Sequence, residues 1–194
     1  MEFTERQIEI IEAAALRIDK HGIQNLTIKN LSADIGLSEP ALYRHFKSKN
    51  DILLNLLDYF TAEMKERLDS ISIKSDISAS DKLTAIFNSQ FKAFTKKPAV
   101  ISVIFSDGIF HFNKGLSDKV TGIMNLMRGY VNDNIGEGQK NGEYSDFINS
   151  ATLSTMIIGA VRLTVLQWKL SGHKSNLTEN GNSILSAFLS MIKR

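Results

Sequence analysis

The sequence predicts an all-α protein of about nine helices, with a three-helix helix-turn-helix domain at the N-terminus and a larger helical domain after it. Apolar residues recur every three or four positions along most of the chain, and no segment of useful length alternates between apolar and polar residues as a strand does. Only two of the 194 residues are proline, so long helices can form without interruption. Apolar residues make up 43% of the sequence, which is enough for a buried core.

The first predicted helix begins at a capping box made by Thr4 and Gln7 and runs to about Lys20. His21 and Gly22 follow its last apolar residue, and glycine commonly ends a helix. The apolar face of this helix consists of Ile8, Ile11, Ala15 and Ile18.

Residues 26–49 have the pattern of two short helices joined by a tight turn, followed by the start of a further helix. Gly36 lies where the first of them must end in a left-handed residue, which glycine adopts without strain. Ser38 caps the second helix, expected over 39–46, and Pro40 falls in its first turn, where a missing N–H costs little. The apolar positions that hold the two helices together are Ile28, Leu31, Ile35, Leu37, Leu42 and Phe46.

Six further helices are predicted beyond this motif. Ser48 and Asp51 cap a fourth helix that runs to about Leu68, and the serine-rich residues 71–80 are expected to form a loop. Gly136 and Gly138 are interpreted as the end of a helix. The remaining helices are expected at about 81–95, 99–106, 116–135, 146–170 and 177–192, with breaks at Lys97-Pro98, Asp107-Gly108 and Asn141-Gly142.

The composition favours a cytoplasmic protein without a membrane partner. The chain has no cysteine, which excludes disulfides, thiolate metal sites and cysteine nucleophiles. Its first residues lack the basic segment and apolar core of a signal peptide. The most apolar stretch, residues 147–161, is shorter than the ~20 residues that a spanning helix needs.

The sequence carries no recognisable catalytic or metal-binding motif. Its histidines, at positions 21, 45, 111 and 173, show no ligand spacing, and there is no glycine-rich phosphate loop, HExxH motif or nucleophile elbow. We therefore expect no catalytic residue, no metal and no cofactor. A small helical enzyme or carrier that merely contains a helix-turn-helix is the least favoured alternative.

Charge is distributed unevenly near the N-terminus. Residues 1–50 contain seven basic and seven acidic side chains, so net charge alone does not argue for nucleic acid. Arg44, His45, Lys47 and Lys49, however, form a basic edge at the end of the second motif helix. A local edge of this kind is sufficient for contact with phosphates.

This stretch resembles the N-terminal domain of TetR-type transcriptional regulators. The specific part of the match is Leu42-Tyr43-x-His45-Phe46-x-x-Lys49, preceded by Ile35-Gly36-Leu37-Ser38, and Ser32 is a mild departure from the usual alanine. The resemblance implies a DNA-binding domain over residues 1–46 and an effector-binding and dimerisation domain over residues 47–194. It implies a repressor that binds a roughly palindromic operator as a homodimer and is released by a small apolar effector.

The resemblance also assigns roles within the motif, although packing at a helix end is the alternative for several of these residues. Side chains expected at backbone phosphates are Thr27, Lys29, Tyr43, His45 and Lys49. Side chains expected near base edges are Ser38, Glu39, Ala41 and Arg44, with Pro40 beside them in the first turn.

An effector site and a dimer interface are expected in the second domain. The predicted pocket consists of Phe87, Gln90, Phe91, Phe105, His111, Met124 and Met127, for which ordinary core packing is the alternative. The predicted dimer interface includes Gly159, Ala160, Trp168, Leu185 and Phe188, and Trp168 is equally compatible with the core. A DNA-binding protein of the same fold without an effector, such as a chromosome-bound cell-division regulator, remains a second reading.

Overall fold

The computed structural model describes residues 3–105 and 114–194, and these residues form nine α-helices. Within these ranges extended pairing is limited to one isolated bridge between Tyr144 and Lys193, so the predicted all-α class is confirmed. The helices are α1 (Glu5–His21), α2 (Ile28–Asp34), α3 (Glu39–Tyr43), α4 (Lys49–Ser72), α5 (Ala79–Lys96), α6 (Ala99–Ile104), α7 (Lys114–Lys140), α8 (Ser150–Leu170) and α9 (Leu177–Ile192).

The chain divides into two compact units. The first comprises Met1–Glu63 and Lys97–Ile123, and the second comprises Met64–Lys96 and Met124–Arg194. Helices α4 and α7 therefore contribute residues to both units. These units reflect packing, whereas the boundary predicted at residue 46 separates DNA binding from effector binding and dimerisation. That boundary stays a prediction.

The local signals at the N-terminus form as predicted. Thr4 and Gln7 make the capping box of α1, and Ser38 accepts a hydrogen bond from the backbone N–H of Ala41 at the start of α3. Gly36 has a φ of 64°, the left-handed conformation that the turn between α2 and α3 requires. Helix α3 ends at Tyr43, earlier than the expected residue 46, and Arg44 is its C-cap with a backbone that is still in the right-handed helical region.

The prediction that α7 ends near Ile135 is wrong. The helix continues through Gly136 and Gly138 to Lys140, and the chain turns at Gly142, where φ is 75°. At Gly138 an added Cβ would lie 2.3 Å from the ring of Tyr144, which is completely buried. Gly138 therefore serves close packing inside a helix, and not helix termination.

The start of α8 also differs from the prediction. Asn149 caps this helix by accepting a hydrogen bond from the N–H of Thr152, so α8 begins at Ser150 and not near residue 146. Gln139 holds the preceding segment through hydrogen bonds to the carbonyls of Ser145, at 2.9 Å, and Ile148, at 2.7 Å.

In the first unit, α1 packs against α6 and forms the base of the N-terminal domain. A hydrogen bond between Ser102 and Asp19 joins the two helices. Removal of this apolar face from water stabilises the packing of the two helices. The buried residues of α1 are Ile10, Ile11, Ala14, Ala15 and Ile18.

In the second unit, α9 packs against both α5 and α8. The Phe91 ring of α5 is fully buried against Gly181 of α9, where an added Cβ would lie 2.3 Å from the ring. Glu143 caps α5 by accepting hydrogen bonds from the N–H groups of Ala79 and Ser80, both at 2.9 Å. Burial opposes the charge of Glu143, but these hydrogen bonds and nearby Lys193 outweigh it, so the pKa of Glu143 lies below its usual value.

Candidate nucleic-acid interface and partner surfaces

The predicted contact residues of the helix-turn-helix lie at the surface of the first unit. Tyr43, at the end of α3, is 50% exposed. Leu42 and Phe46 are buried and hold the helix in place, so the opposite side of α3 is left to solvent. The other predicted contact residues are exposed at Thr27, Lys29, Ser38, Glu39, Pro40 and Arg44 and half-buried at Ala41, His45 and Lys49.

Lys49 occupies a position that the sequence did not reveal. Its Nζ donates a hydrogen bond to the carbonyl oxygen of Ile23 at 2.9 Å, and burial lowers the pKa of its ammonium group. Ile23 belongs to a short 3-10 helix, Ile23–Asn25, between α1 and α2. Lys49 therefore holds this turn with one N–H donor of its ammonium, and the other two donors remain for a phosphate. Lys47, which belongs to the predicted basic edge, is exposed and is a further candidate for phosphate contact.

Arg17 fixes the orientation of α2. Its guanidinium donates to both carboxylate oxygens of Asp34, at 2.8 and 2.6 Å, and to the carbonyl of Asn25 at 3.0 Å. Asn30 donates to the same carbonyl at 3.1 Å. These bonds connect α1, the 3-10 turn and α2, and they place Thr27 at the exposed start of α2.

A cluster around Lys97 joins three helices of the first unit. Lys97 lies just before α6 begins. Its ammonium is 2.9 Å from a carboxylate oxygen of Glu12, on α1, and 2.9 Å from one of Glu63, on α4. It also lies 3.4 Å from the Tyr59 hydroxyl and 5.0 Å from that ring's centre. Burial alone would lower the pKa of Lys97, but the hydrogen bonds to Glu12 and Glu63 raise it above its usual value. The ammonium is therefore held as a cation that binds α1, α4 and α6 to one another.

The described residues of the predicted effector pocket lie in both compact units, and their role as a pocket stays a prediction. Phe87 and Phe91, both on α5, are buried, and their rings stack with centres 6.4 Å apart. Gln90, on the same helix, is buried and accepts a hydrogen bond from Arg67 at 2.9 Å. The other four residues are a half-exposed Met124, a partly buried Met127, Phe105 in the first unit, and His111, which lies outside the described residues.

A polar surface pocket lies elsewhere in the second unit. Its volume is about 420 Å³, and it lies between the second half of α7 and the start of α8. Its lining is Asn132, Asp133, Gly136, Glu137, Lys140, Asn141 and Ser150, so it is unlike the apolar site predicted. Within residues 3–105 and 114–194, no three histidine or acidic side chains come together as metal ligands.

Helices α8 and α9 expose a continuous set of apolar side chains. In the part of the chain that the structure describes, α8 alone is long and apolar enough to cross a membrane by length and composition, and only 33% of its apolar window is buried. Its exposed side includes Gly159 and Leu163, the latter 56% exposed. The other large exposed apolar residues of the two helices are Met156, Leu166, Leu170, Ile184 and Met191.

Three residues of the predicted dimer interface are buried within the single chain, and their role at an interface stays a prediction. Trp168, Leu185 and Phe188 are 4%, 2% and 7% exposed in the single chain. The Trp168 ring packs against His173, with ring centres 4.3 Å apart. These side chains form the intramolecular core, whereas Gly159 is exposed and Ala160 is half-buried on the outer side of α8.

Two protein-family models match this chain. Residues 10–56 match "Bacterial regulatory proteins, tetR family", and residues 56–191 match "YsiA-like protein, C-terminal region". Together the two matches span the helix-turn-helix and nearly all of the remaining helices.

Curated relatives match over almost their full length. The chain is 25% identical over 190 residues to the fatty acid metabolism regulator protein of Bacillus subtilis, covering 96% of this chain and 95% of the relative. It is 22% identical to the nucleoid occlusion factor SlmA of Idiomarina loihiensis, covering 90% and 89%. Among solved structures, the transcriptional regulator FadR from Bacillus subtilis in complex with stearoyl-CoA superposes with a TM-score of 0.82 at 24% identity, covering 94% of this chain and 97% of that one.

Proposed function

The chain belongs to the TetR family of bacterial regulatory proteins, and from this premise we propose that it is a repressor that a small apolar effector releases from its operator. Membership makes it a DNA-binding transcriptional regulator and not an enzyme. The observation that carries the proposal is the exposed recognition side of α3, with Tyr43 and Arg44 at its end, on a helix held from behind by buried Leu42. Such a regulator acts on the chromosome, so we place it at the nucleoid in the cytoplasm.

The exposed side of α3 has the chemistry to read a major groove. The Arg44 guanidinium can pair with guanine, Glu39 can accept from cytosine, and the Ala41 methyl can contact thymine. Thr27 and Lys29 at the start of α2, with Tyr43, His45 and Lys47 nearby, supply donors for phosphates on either side.

The operator-bound form is a homodimer, and the exposed apolar residues of α8 and α9 supply its interface. A helix pair that leaves Leu163, Leu170 and Met191 more than half exposed does not satisfy its apolar surface within one chain. Two copies related by a two-fold axis would cover this surface and present two α3 helices to a palindromic site.

We propose that the apolar part of the effector is the acyl chain of a long-chain acyl thioester. The argument is the full-length relationship to the fatty acid metabolism regulator, together with the stearoyl-CoA held by the similar FadR structure. The Lys97 cluster gives a route from the regulatory helices to the DNA-binding helices, because movement of α6 would pull on Glu12 of α1 and Glu63 of α4 at once. The SlmA relatives favour an effector-free regulator as the second candidate.

The DNA contacts can be tested with duplexes that the wild-type protein selects from a random library. Lys47→Ala should weaken selected and random duplexes alike and lower the slope of log K against log salt by about one unit, since it removes one phosphate contact. Arg44→Ala should mainly erode discrimination, by about 1–3 kcal/mol, because it removes a base contact. Fluorescence anisotropy at several salt concentrations measures both.

Lys174→Ala, at an exposed site in the second unit, is the matched control and should leave both quantities unchanged. Loss of affinity in Lys47→Ala with an unaltered salt slope would contradict the proposed docking. Lys49→Ala should also weaken binding, and it should lower the thermal midpoint because the hydrogen bond to Ile23 is lost as well.

The effector proposal can be tested on the same complex. Stearoyl-CoA should weaken operator binding by about 5- to 150-fold at saturation, the range expected for a coupling of ~1–3 kcal/mol. Free CoA controls for the headgroup, and dodecyl maltoside controls for detergent action. The effector-free candidate would be favoured by two results together. Operator binding would not change with stearoyl-CoA or with a panel of apolar compounds, and native mass spectrometry would show no retained ligand.

A further inference from the structure

Three side chains from three different helices converge on the short turn between α1 and α2. We propose that Arg17 is a positioning residue for DNA binding, because it fixes this turn and so holds the phosphate-contact residues on both sides of it in place before DNA binds. The inference rests on the proposed docking and adds a residue that sets affinity without touching DNA. We call the arrangement the turn network; it consists of the carbonyl oxygens of Ile23 and Asn25 and the side chains of Arg17, Asn30 and Lys49 that donate to them.

The turn network joins the starts of the two helices that carry predicted phosphate contacts. On one side, Asn30 of α2, the helix capped by Thr27, donates to the Asn25 carbonyl at 3.1 Å. On the other side, Lys49 is the first residue of α4 and donates to the Ile23 carbonyl at 2.9 Å. Both carbonyls belong to the same 3-10 turn, so a displacement of this turn would move the start of α2 and the ammonium of Lys49 together.

Arg17 is the member of the turn network with the most hydrogen bonds. Its guanidinium makes two bonds to the Asp34 carboxylate and a third to the Asn25 carbonyl, and only 15% of its side chain is exposed. A planar guanidinium that pairs with a carboxylate through two donors has its remaining donors fixed in direction. Arg17 therefore ties the Asn25 carbonyl to α1 and α2 at once, whereas Asn30 supplies a single bond to it.

The charge of Arg17 is used inside the protein and not offered to a phosphate. Its partner Asp34 is the last residue of α2, where the helix dipole disfavours a carboxylate, and the guanidinium offsets this effect. Removing Arg17 therefore has two consequences that an experiment must separate. It releases the turn, and it leaves the Asp34 carboxylate without this cation.

A turn that becomes ordered only in the complex costs affinity. Without Arg17, the side chains of Thr27, Lys29 and Lys49 would have to be ordered when DNA binds. Immobilising one such side chain at an interface weakens binding by about 2- to 10-fold. The complex itself would contain the same phosphate contacts, so the number of released counterions, and with it the salt slope, would stay the same.

Arg17→Met tests the proposal, because it removes the donors and keeps an unbranched apolar side chain. At a temperature well below the thermal midpoint of the variant, anisotropy should show selected and random duplexes bound about tenfold more weakly, with an unchanged salt slope. Arg17→Lys keeps the charge without the guanidinium geometry and should show a smaller loss. Hydrogen exchange of the backbone N–H groups of residues 23–27 should be faster in free Arg17→Met and return to the wild-type rate in the complex.

The double variant Arg17→Met, Asp34→Asn separates position from charge and should bind as weakly as Arg17→Met. A return to wild-type affinity in the double variant would mean that the bare carboxylate repels DNA, and it would overturn the proposal. Two other results would overturn it as well. A salt slope lowered by about one unit in Arg17→Met would make Arg17 a phosphate contact, and unchanged affinity of the folded variant would restrict its role to stability.

Two further variants keep the test conclusive. If circular dichroism shows that Arg17→Met does not fold, Asn30→Ala removes the other donor to the Asn25 carbonyl and should give a smaller loss of affinity, again with an unchanged salt slope. No loss in Asn30→Ala would then count against the turn network. Lys47→Ala, measured in parallel, tests the docking itself, so a failure of the docking is distinguished from a failure of the role of Arg17.

Discussion

Leu163→Lys is expected to convert the protein from a dimer to a monomer and to abolish specific operator binding at concentrations where the wild type is fully bound. The substitution places two ammonium groups, one from each subunit, in the proposed apolar interface, and the cost of burying an unpaired charge is several kcal/mol. The dimer dissociation constant should therefore rise by at least about 100-fold, since each 1.4 kcal/mol is a factor of ten. Sedimentation equilibrium measures this directly.

The folded chain should tolerate this change. Leu163 is 56% exposed in the single chain, so the lysine can remain in water when the subunits separate. The monomer should keep the helical circular dichroism of the wild type and bind random DNA weakly. Ser175→Lys, which adds the same charge in an exposed loop, is the control and should leave the dimer intact. A stable dimer of Leu163→Lys would place the subunit interface elsewhere.

Gly181→Ala is expected to lower the free energy of unfolding by about 3 kcal/mol, in the range of overpacked cores. The added Cβ would lie 2.3, 2.4 and 2.9 Å from three atoms of the Phe91 ring, which is fully buried. This penalty exceeds the ~1 kcal/mol that alanine gains over glycine inside a helix. Urea unfolding at fixed protein concentration gives the difference.

The free energy of unfolding is expected to rise, and not to fall, when a matched glycine is replaced by alanine. Gly122→Ala lies in α7, where an added Cβ meets nothing within 4 Å, so it should stabilise the protein by up to about 1 kcal/mol. Adding Phe91→Leu to Gly181→Ala should recover part of the lost stability, because the smaller side chain vacates the space that the methyl group needs. Unchanged stability in Gly181→Ala would mean that α5 and α9 do not pack as closely as described.

The parts of this protein that sequence predicts well are those whose causes are local. The cap at Thr4, the left-handed turn at Gly36 and the cap at Ser38 each depend on residues within a few positions, and each forms as expected. The helix-turn-helix is built from such signals, and the residues predicted to contact DNA are exposed or half-buried. The prediction of where a helix ends fails when a residue outside the local sequence decides it. Gly138 is an example, because it packs against the ring of Tyr144 and does not end α7.

The partner surfaces were harder to predict for the same reason. Helix α8 is apolar on nearly every side, so periodicity alone cannot distinguish its buried side, with Trp168, from its exposed side, with Leu163. The Lys97 cluster is invisible in the sequence, because Glu12 and Glu63 lie far from it along the chain. Lys49 matches a phosphate-contact position, yet its bond to Ile23 appears only once the turn is folded.

Dimerisation through the exposed apolar residues of α8 and α9 would also give the protein a nonlinear dose response. While the chain concentration is below the dimer dissociation constant, dimers accumulate as the square of that concentration, and operator occupancy follows them. Halving the amount of protein, as cell division or proteolysis does, would then reduce dimers roughly fourfold. Since the pairing also withdraws folded chains from the unfolding equilibrium, a scarce pool is both less active and less stable. A gene under this control would switch at a threshold amount of regulator instead of following it in proportion.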